Sequence, residues 1–129
     1  MRGGRAKRFA VAFELSDHAI DSETHVIELR GEVDLYTAPE FKTHLHELID
    51  EGKTHIVIDL SQVTYIDSTT LGVLVGGLKR LRRAGGSLVL VCTEASIVHI
   101  FDVTGLDQAL PVYATVEEAI AGSALRDDT

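Results

Sequence analysis

The 129-residue sequence has a single cysteine, no tryptophan, only two prolines and no apolar run long enough to cross a membrane. One cysteine excludes an internal disulfide, and Cys92 lies in the apolar stretch SLVLVC, which predicts a small buried side chain rather than a reactive thiol. A transmembrane helix needs about 18 consecutive apolar residues, and the N-terminus lacks the apolar core of a signal peptide. We therefore expect a cytoplasmic protein with no membrane partner.

Positive charge is also scarce, because 12 Lys and Arg stand against 20 Asp and Glu, for a net charge of -8. Four of the basic residues lie in the tail at residues 1–8, so the remainder carries 8 basic and 20 acidic residues. Such an acidic body repels phosphate backbones and anionic lipids. The composition thus argues against direct binding of nucleic acid, and the basic tail is expected to be a loose terminus.

Motifs for bound metals and nucleotides are missing as well. The six histidines are scattered, and His44 and His46 are two residues apart on a predicted helix, so they point to different faces. The glycines of LGVLVGG lack the dinucleotide-binding spacing and are expected to let a helix pack closely against the sheet. No Gly-Lys-Ser or Gly-Lys-Thr triplet forms a phosphate-binding loop. The sequence predicts neither a metal nor a cofactor.

The distribution of apolar residues predicts five strands. Residues 9–15 alternate apolar and other side chains as a half-buried strand does, the polar segment SDHAIDSET predicts a long loop, and HVIELRG completes a hairpin. HIVIDL (55–60) and SLVLVC (87–92) are continuous apolar runs, typical of strands covered on both faces, so the first of them should be central. A last short strand is expected near LPVYA.

Two of the four predicted helices are well marked. The first spans about 38–51, behind a capping-box spacing of Thr37 and Glu40. The second begins near Ser68 and ends at Gly85 and Gly86. Its last turns hold four cations, which either form a solvated face matched to the helix dipole or dock a partner: Lys79, Arg80, Arg82 and Arg83.

Two further helices complete the predicted order. A short helix in SIVHIFDVTGL stops at Gly105, and a second capping box, Thr115 and Glu118, opens the last helix. The order β-β-α-β-α-β-α-β-α predicts a single α/β domain over residues 9–122, with a central, mixed but largely parallel sheet. Residues 123–129 are expected to be a loose C-terminal tail.

Ser68 follows a predicted strand and begins the second helix, in the segment YIDSTTLGVL. One interpretation is structural, because Asp67 or Ser68 could cap the helix by accepting from a backbone N–H group. Another is catalytic, since a serine at a strand-to-helix turn is a hydrolase feature, although the G-x-S-x-G motif and a local histidine base are missing. A third is regulatory, because a phosphate on this residue is tolerated at the positive end of the helix dipole and would act on a docking partner.

The segment HIVIDLSQVTYIDSTTLGVLVGGLKRLRRAGGSLVLV resembles the signature of anti-sigma factor antagonists, or anti-anti-sigma factors, of the STAS domain family. LRGEVDLYTAPEF is similar to that family's second motif, and IFDVTGLDQALPVYATVEEAI to its C-terminal part. The resemblance implies partner switching in bacteria: the unmodified antagonist captures an anti-sigma factor that is also a serine kinase, and a sigma factor is released for transcription. Phosphorylation by that kinase, which holds the ATP, weakens the capture, and a PP2C-type phosphatase restores it.

Carried over to this sequence, the resemblance places the phosphoacceptor at Ser68, with Thr69 as a secondary acceptor. The implied partner-binding residues are Asp34, Asp67, Ser68, Thr69, Thr70, Leu71 and Gly72. Thr70 departs from the family, which usually has glycine there, and a β-branched residue restricts the backbone at a helix start.

Two other functions stay open on the sequence alone. A STAS docking subunit of a stress-sensing or lipid-transport complex would use the same surface without phosphorylation. A small serine hydrolase would use Ser68 as its nucleophile, and a histidine within hydrogen-bond reach of Ser68 would favour it.

Overall fold

A five-stranded mixed sheet forms the centre of the molecule. The computed structural model describes residues 13–127, with side chains described up to Ser123. The strands are β1 (Phe13–Ala19), β2 (Thr24–Val33), β3 (His55–Ile66), β4 (Ser87–Val91) and β5 (Val112–Tyr113). They lie side by side in chain order; β1 pairs antiparallel with β2, and the other pairs are parallel. The predicted mixed sheet with one antiparallel hairpin is confirmed.

Helices connect the strands in the predicted order. They are α1 (Ala38–Asp50), α2 (Ser68–Arg83), α3 (Ala95–Val103) and α4 (Val116–Asp127), with a short 3-10 helix at Leu106–Gln108 before β5. α1, α2 and α3 cover one face of the sheet with the larger apolar core, and α4 covers the other face. The predicted α/β class and element order are confirmed.

Strand β3 shows why the sequence favours this layering. Ile56, Ile58 and Leu60 belong to the large core under α1–α3, whereas Val57 belongs to the smaller core under α4. Successive side chains of a strand point to opposite faces, so a continuous apolar run is what a strand covered on both faces requires. β3 is the third strand of five, as a central strand should be.

The hairpin differs from its prediction. β1 continues through SDHA to Ala19, and only residues 20–23 form the loop, so the prediction of a long loop is wrong. The polar residues stay in the strand because Asp17 finds partners across it, His25 Nε2 at 2.6 Å from Oδ1 and His44 at Oδ2. Asp21 closes the short loop by accepting from the N–H of Thr24 at 2.8 Å. The start of the predicted strand, residues 9–12, and the basic tail at 1–8 lie outside the described residues.

Strands β2 and β3 extend further than their apolar runs predicted. β3 continues from Leu60 to Ile66, because Val63 and Ile66 stay buried while the other residues of this part, at 61–62 and 64–65, face solvent. β2 accompanies it to Val33, with two register shifts on the way. β4 ends at Val91, opposite Asp59, whereas β1 accompanies β2 as far as Gly31, so β2 and β3 extend the sheet past the end of β4. This extension carries the β2–α1 loop and the start of α2.

Gly77 in α2 and Gly86, which lies between α2 and β4, have a clear packing role. Gly77 faces α1, where an added Cβ would lie 2.6 Å from Leu45 Cδ2 and 3.7 Å from Leu88 on the sheet. An added Cβ at Gly86 would lie 1.9 Å from the carbonyl oxygen of Thr54, so only glycine allows this close approach. Around Gly72 and Gly76, by contrast, the space is open. The expectation of close helix packing holds for Gly77 but is wrong for these two.

The C-terminal boundary also needs a correction. α4 continues to Asp127, and Ser123 is buried with its hydroxyl 2.7 Å from Ser87 Oγ, so the domain does not end at residue 122. The predicted capping at the start of α4 is confirmed, since Thr115 Oγ1 accepts from the Glu118 N–H at 3.1 Å. The Glu118 carboxylate in turn accepts from the Ala114 N–H at 3.3 Å.

Candidate phosphoacceptor and docking site

Ser68 is the first residue of α2, directly after the extension of β3. Its side chain is exposed, and within residues 13–127 its hydroxyl makes no hydrogen bond. The next residue, Thr69, is exposed as well. Backbone N–H groups at the start of a helix lack intrahelical acceptors and carry a positive partial charge, so a negative group attached here is favoured electrostatically.

Asp67, and not Ser68, is the residue that caps this helix. Its Oδ1 accepts from the Thr70 N–H at 3.1 Å. Its Oδ2 reaches across to the β2–α1 loop and accepts from the Leu35 N–H at 3.0 Å. One carboxylate therefore joins the start of α2 to a loop that lies 32 residues earlier in the chain.

Thr70 is fully buried, although it lies two residues from an exposed serine. Its hydroxyl donates to the carbonyl oxygen of Val33 at 2.5 Å and lies 3.4 Å from Asp67 Oδ1. A β-branched residue is therefore accommodated where the family usually has glycine. The prediction of a direct partner contact at Thr70 does not fit a side chain that solvent does not reach.

Asp34 and Thr37 form the turn that leads into α1. Asp34 Oδ1 accepts from the N–H groups of Tyr36 at 2.9 Å and Thr37 at 3.2 Å. The Thr37 hydroxyl donates to the carbonyl oxygen of Glu32 at 3.0 Å and accepts from the Asp34 N–H. The Thr37 side chain thus makes no capping bond to α1, and the predicted capping box with Glu40 is wrong. Asp34, three residues earlier, accepts from the Thr37 N–H instead.

Exposed apolar side chains lie on the segments next to Ser68, and none of them is among the site residues that the sequence predicted. Leu35 is 56% exposed, Tyr36 83% and Tyr65 49%, and these are three of the five large hydrophobic residues that are exposed in the described chain. Leu35 and Tyr36 lie in the loop that Asp67 holds, and Tyr65 pairs with Glu32 in the sheet extension. We call Leu35, Tyr36, Tyr65, Ser68 and Thr69 the Ser68 surface.

The other two residues implied by the resemblance lie further along the first turn of α2. Leu71 is half-buried and packs against the main core, so it anchors the helix as well as bordering the surface. Gly72 is exposed. Solvent therefore reaches Ser68, Thr69 and Gly72 fully and Leu71 in part.

The segments that form this site carry no positive side chain. Residues 31–41 and 61–78 contain no Lys or Arg, but they contain Glu32, Asp34, Glu40 and Asp67. A helix rises about 1.5 Å per residue, so Lys79, the first cation of α2, lies about 16 Å along the helix from Ser68. A phosphate on Ser68 would therefore stay unneutralised by these segments and act outward.

Four of the six histidines make hydrogen bonds elsewhere in the fold, and the cysteine is buried. Within residues 13–127 no histidine is hydrogen-bonded to Ser68; the bonded ones are His25 and His44 with Asp17, His46 with Arg80 and His55 with Ser87. His44 and His46 thus point to different faces of α1, as predicted. Cys92 is buried, and burial raises the pKa of its thiol. This arrangement gives the hydrolase interpretation no support.

The chain is an α/β domain that presents an exposed hydroxyl at a helix start, next to segments with exposed apolar side chains. The model of the STAS domain matches residues 17–119. The chain therefore belongs to the STAS domain family, as its sequence resemblance predicted. In the part of the chain that the structure describes, no helix combines the length and apolar character needed to cross a bilayer.

The proteins that this chain resembles include anti-sigma factor antagonists. The anti-sigma-B factor antagonist of Bacillus subtilis (strain 168) is 36% identical over 94 residues, which cover 73% of this chain and 85% of that protein. An anti-sigma factor antagonist from Mycobacterium paratuberculosis has a crystal structure with a TM-score of 0.73 and 25% identity, covering 87% of this chain and 92% of that one. The Bacillus cell fate determinant SpoIIAA in its phosphorylated form has a TM-score of 0.67 and 28% identity, covering 85% and 97%.

Proposed function

We propose that this protein is an anti-sigma factor antagonist whose partner binding is switched by phosphorylation of Ser68. The unphosphorylated form captures an anti-sigma factor that is itself a serine kinase, and a sigma factor is released. The kinase supplies the ATP and phosphorylates Ser68, with Thr69 as a secondary acceptor, and a PP2C-type phosphatase reverses the step. The observation that carries this proposal is the exposed Ser68 hydroxyl, free of hydrogen bonds to the described residues, within an apolar surface.

The apolar residues support the binding half of the proposal. Tyrosine is among the residues that most often dominate binding energy at protein interfaces, and exposed apolar patches mark interaction sites. Leu35, Tyr36 and Tyr65 together supply such a patch next to the serine. A kinase that docks on it would have the Ser68 hydroxyl within its footprint.

The electrostatics support the switching half. A phosphate adds a charge of about -1.5 to -2 at neutral pH. Because residues 31–41 and 61–78 hold no cation, this charge meets the partner rather than an internal Lys or Arg. Asp67 already satisfies the Thr70 N–H, so the start of α2 stays capped whether or not Ser68 is modified. The proposal therefore involves a change of surface charge and no change of fold. The relative SpoIIAA, which has been solved in a phosphorylated form, supports this type of control.

Phosphate transfer by the captured partner tests the proposal. The wild-type chain is used to isolate its partner from the native cell, and the complex is incubated with labelled ATP. We expect label on the wild-type chain at Ser68, mapped by mass spectrometry, and little label on Ser68→Ala, which should still capture the partner. Thr69→Ala is the matched control, because it removes the neighbouring exposed hydroxyl and should retain most of the label.

Two outcomes would contradict the proposal. Equal labelling of wild type and Ser68→Ala would place the modified residue elsewhere. Capture of a partner without any phosphate transfer would favour a STAS docking subunit that works without phosphorylation.

A further inference from the structure

Two side chains bind the start of α2 to the β2–α1 loop. Thr70 Oγ1 donates to the carbonyl oxygen of Val33 at 2.5 Å, and Asp67 Oδ2 accepts from the Leu35 N–H at 3.0 Å. The two side chains are also linked to each other, since Asp67 Oδ1 accepts from the Thr70 N–H at 3.1 Å. We call Asp67 and Thr70, with these three bonds, the Asp67–Thr70 clamp.

The hydrogen bond from Thr70 to Val33 is costly to lose, because both residues are buried. Both Thr70 and Val33 are fully buried, so water cannot replace the hydroxyl as a donor to the Val33 carbonyl. A buried acceptor that loses its partner bears the full cost of its desolvation. Val33 is the last residue of β2, and the bond therefore fixes the point at which the β2–α1 loop begins.

The loop fixed in this way carries the exposed residues of the Ser68 surface. Leu35 and Tyr36 follow Val33 by two and three residues, and their side chains have few internal contacts, because they are 56% and 83% exposed. Their position beside Ser68 therefore depends on backbone bonds made by Asp34, Asp67 and Thr70. A loop that is already ordered loses less conformational entropy when a partner binds.

We propose that Thr70 is a positioning residue that holds Leu35 and Tyr36 beside Ser68 before a partner arrives. Thr70 does not touch the partner; it acts through the Val33 carbonyl and through Asp67. The glycine that is usual in the family has no hydroxyl and would leave the Val33 carbonyl without this donor. The effect on partner binding rests on the proposed function, whereas the restraint on the loop can be measured in the protein alone.

Amide hydrogen exchange in the full-length chain measures the restraint. Thr70→Val has nearly the same shape but no hydroxyl, and Thr70→Ser keeps the hydroxyl and is the rescue variant. In Thr70→Val we expect the Leu35 N–H to exchange about tenfold faster or more than in wild type, because local opening of the loop exposes it. In Thr70→Ser it should stay close to the wild-type rate. The buried amide of Ile58 in β3 serves as the reference for global stability.

The comparison with Ile58 separates positioning from general destabilisation. If Leu35 and Ile58 accelerate by the same factor in Thr70→Val, the residue is a core residue only, and the proposal is wrong. An unchanged Leu35 rate would overturn it too. Asp67→Asn gives a second test that leaves the core intact, because an amide has only one oxygen acceptor for the two N–H groups that Asp67 binds; faster exchange at Leu35 is again expected.

Binding of the anti-sigma factor gives the functional readout. We expect Thr70→Val to bind it about tenfold more weakly than wild type and Thr70→Ser to bind almost as well, since only the former must order the loop on binding. Equal binding by both variants would overturn the positioning role. If no form of the chain binds an anti-sigma factor, the proposed function fails, and the exchange rates still decide whether Thr70 restrains the loop.

Discussion

The two ends of helix α2 differ in what satisfies their polar groups. At the N-terminal end, Asp67 caps the helix, while the hydroxyls of Ser68 and Thr69 face solvent. At the C-terminal end, Arg80 reaches α1 and donates to Asp50 at 2.6 Å, with its other terminal nitrogen 2.6 Å from His46. Both ends are thus held to a neighbouring segment by side chains, but the N-terminal end presents hydroxyls outward and the C-terminal end presents cations.

The charge at each end of α2 does not by itself show which end binds a partner. An acidic residue at the start and cations at the end both match the helix dipole, and such pairs are found on ordinary structural helices. Lys79, Arg82 and Arg83 are exposed and make no ion pair within the described residues, which is the behaviour expected of a solvated, dipole-matched face. The difference lies in the exposed apolar residues, which accompany Ser68. If the proposed function holds, exposed apolar residues rather than charge distinguish the docking end of α2 from its other end.

The largest expected effect concerns charge at Ser68. Phosphorylation of Ser68 should weaken partner capture about a hundredfold, which corresponds to about 3 kcal/mol. Ser68→Asp should weaken capture in the same direction but less, because it adds a single charge. The matched control is Ser22→Asp, an exposed serine in the hairpin loop at the opposite end of the sheet. Titration calorimetry with the purified partner measures both, and equal losses would show that net charge rather than position matters.

Removal of an aromatic side chain beside Ser68 should have the next largest effect. Tyr36→Ala is expected to weaken capture about tenfold, because exposed tyrosines at interfaces are frequent hot spots. The control is Val103→Ala, since Val103 is also a well-exposed apolar residue, at the last position of α3. Neither change should alter the melting temperature much. A loss of capture in Val103→Ala that equals the loss in Tyr36→Ala would move the docking surface elsewhere.

Two variants of Asp34 separate its turn-forming role from a partner contact. Asp34→Ala removes the acceptor for the Tyr36 and Thr37 N–H groups and should cost about 1 kcal/mol of unfolding free energy. Asp34→Asn keeps an oxygen acceptor and removes the charge, so its stability should stay near wild type. Weaker capture by Asp34→Asn, at an unchanged melting temperature, is the result that a charged contact with the kinase predicts. Unchanged capture would restrict Asp34 to its structural role.

A smaller effect is expected at the C-terminal end of α2. Arg80→Ala should lower the unfolding free energy by less than about 1 kcal/mol, because the ion pair with Asp50 is largely exposed to solvent. Lys79→Ala, which removes an exposed neighbour that forms no ion pair with the described residues, is the control and should change nothing measurable. Both variants should capture the partner like wild type in the binding assay. A loss of capture in either would make the basic cluster a second docking site.

The smallest expected effect is a pH dependence at the same end. Partial burial, and then the charges of Arg80 and Lys42, lower the pKa of His46 below its ordinary value. The folded protein therefore binds this proton less readily than the unfolded chain, so stability falls as the pH drops below about 6.5. His46→Gln should remove this part of the pH dependence in thermal melts between pH 5 and 7, about the range of an ordinary histidine. An identical pH profile in the variant would show that His46 contributes nothing.

Strong local signals explain why most of the fold could be predicted from the sequence. Both long helices begin and end close to their predicted residues, because apolar spacing and glycine stops are local features. The capping box at Thr37 failed because the Asp34 carboxylate accepts from the Thr37 N–H, and the Thr37 hydroxyl is bonded to the Glu32 carbonyl oxygen instead of the Glu40 N–H. The extension of β3 to Ile66 was missed because its burial depends on β2, which lies far away in the sequence.

At the candidate site, the sequence by itself determined that a serine begins α2 directly after an aspartate, because this follows from residues next to each other in the chain; the structure decided that the aspartate is the cap. Only the tertiary structure decided that Leu35, Tyr36 and Tyr65 stand around Ser68 and that Thr70 is buried beneath it. These depend on bonds between segments more than 30 residues apart, such as Asp67 to Leu35 and Thr70 to Val33. A local sequence pattern predicts whether a segment forms a helix or a strand. The surroundings of a side chain, however, depend on which distant segments the fold brings together.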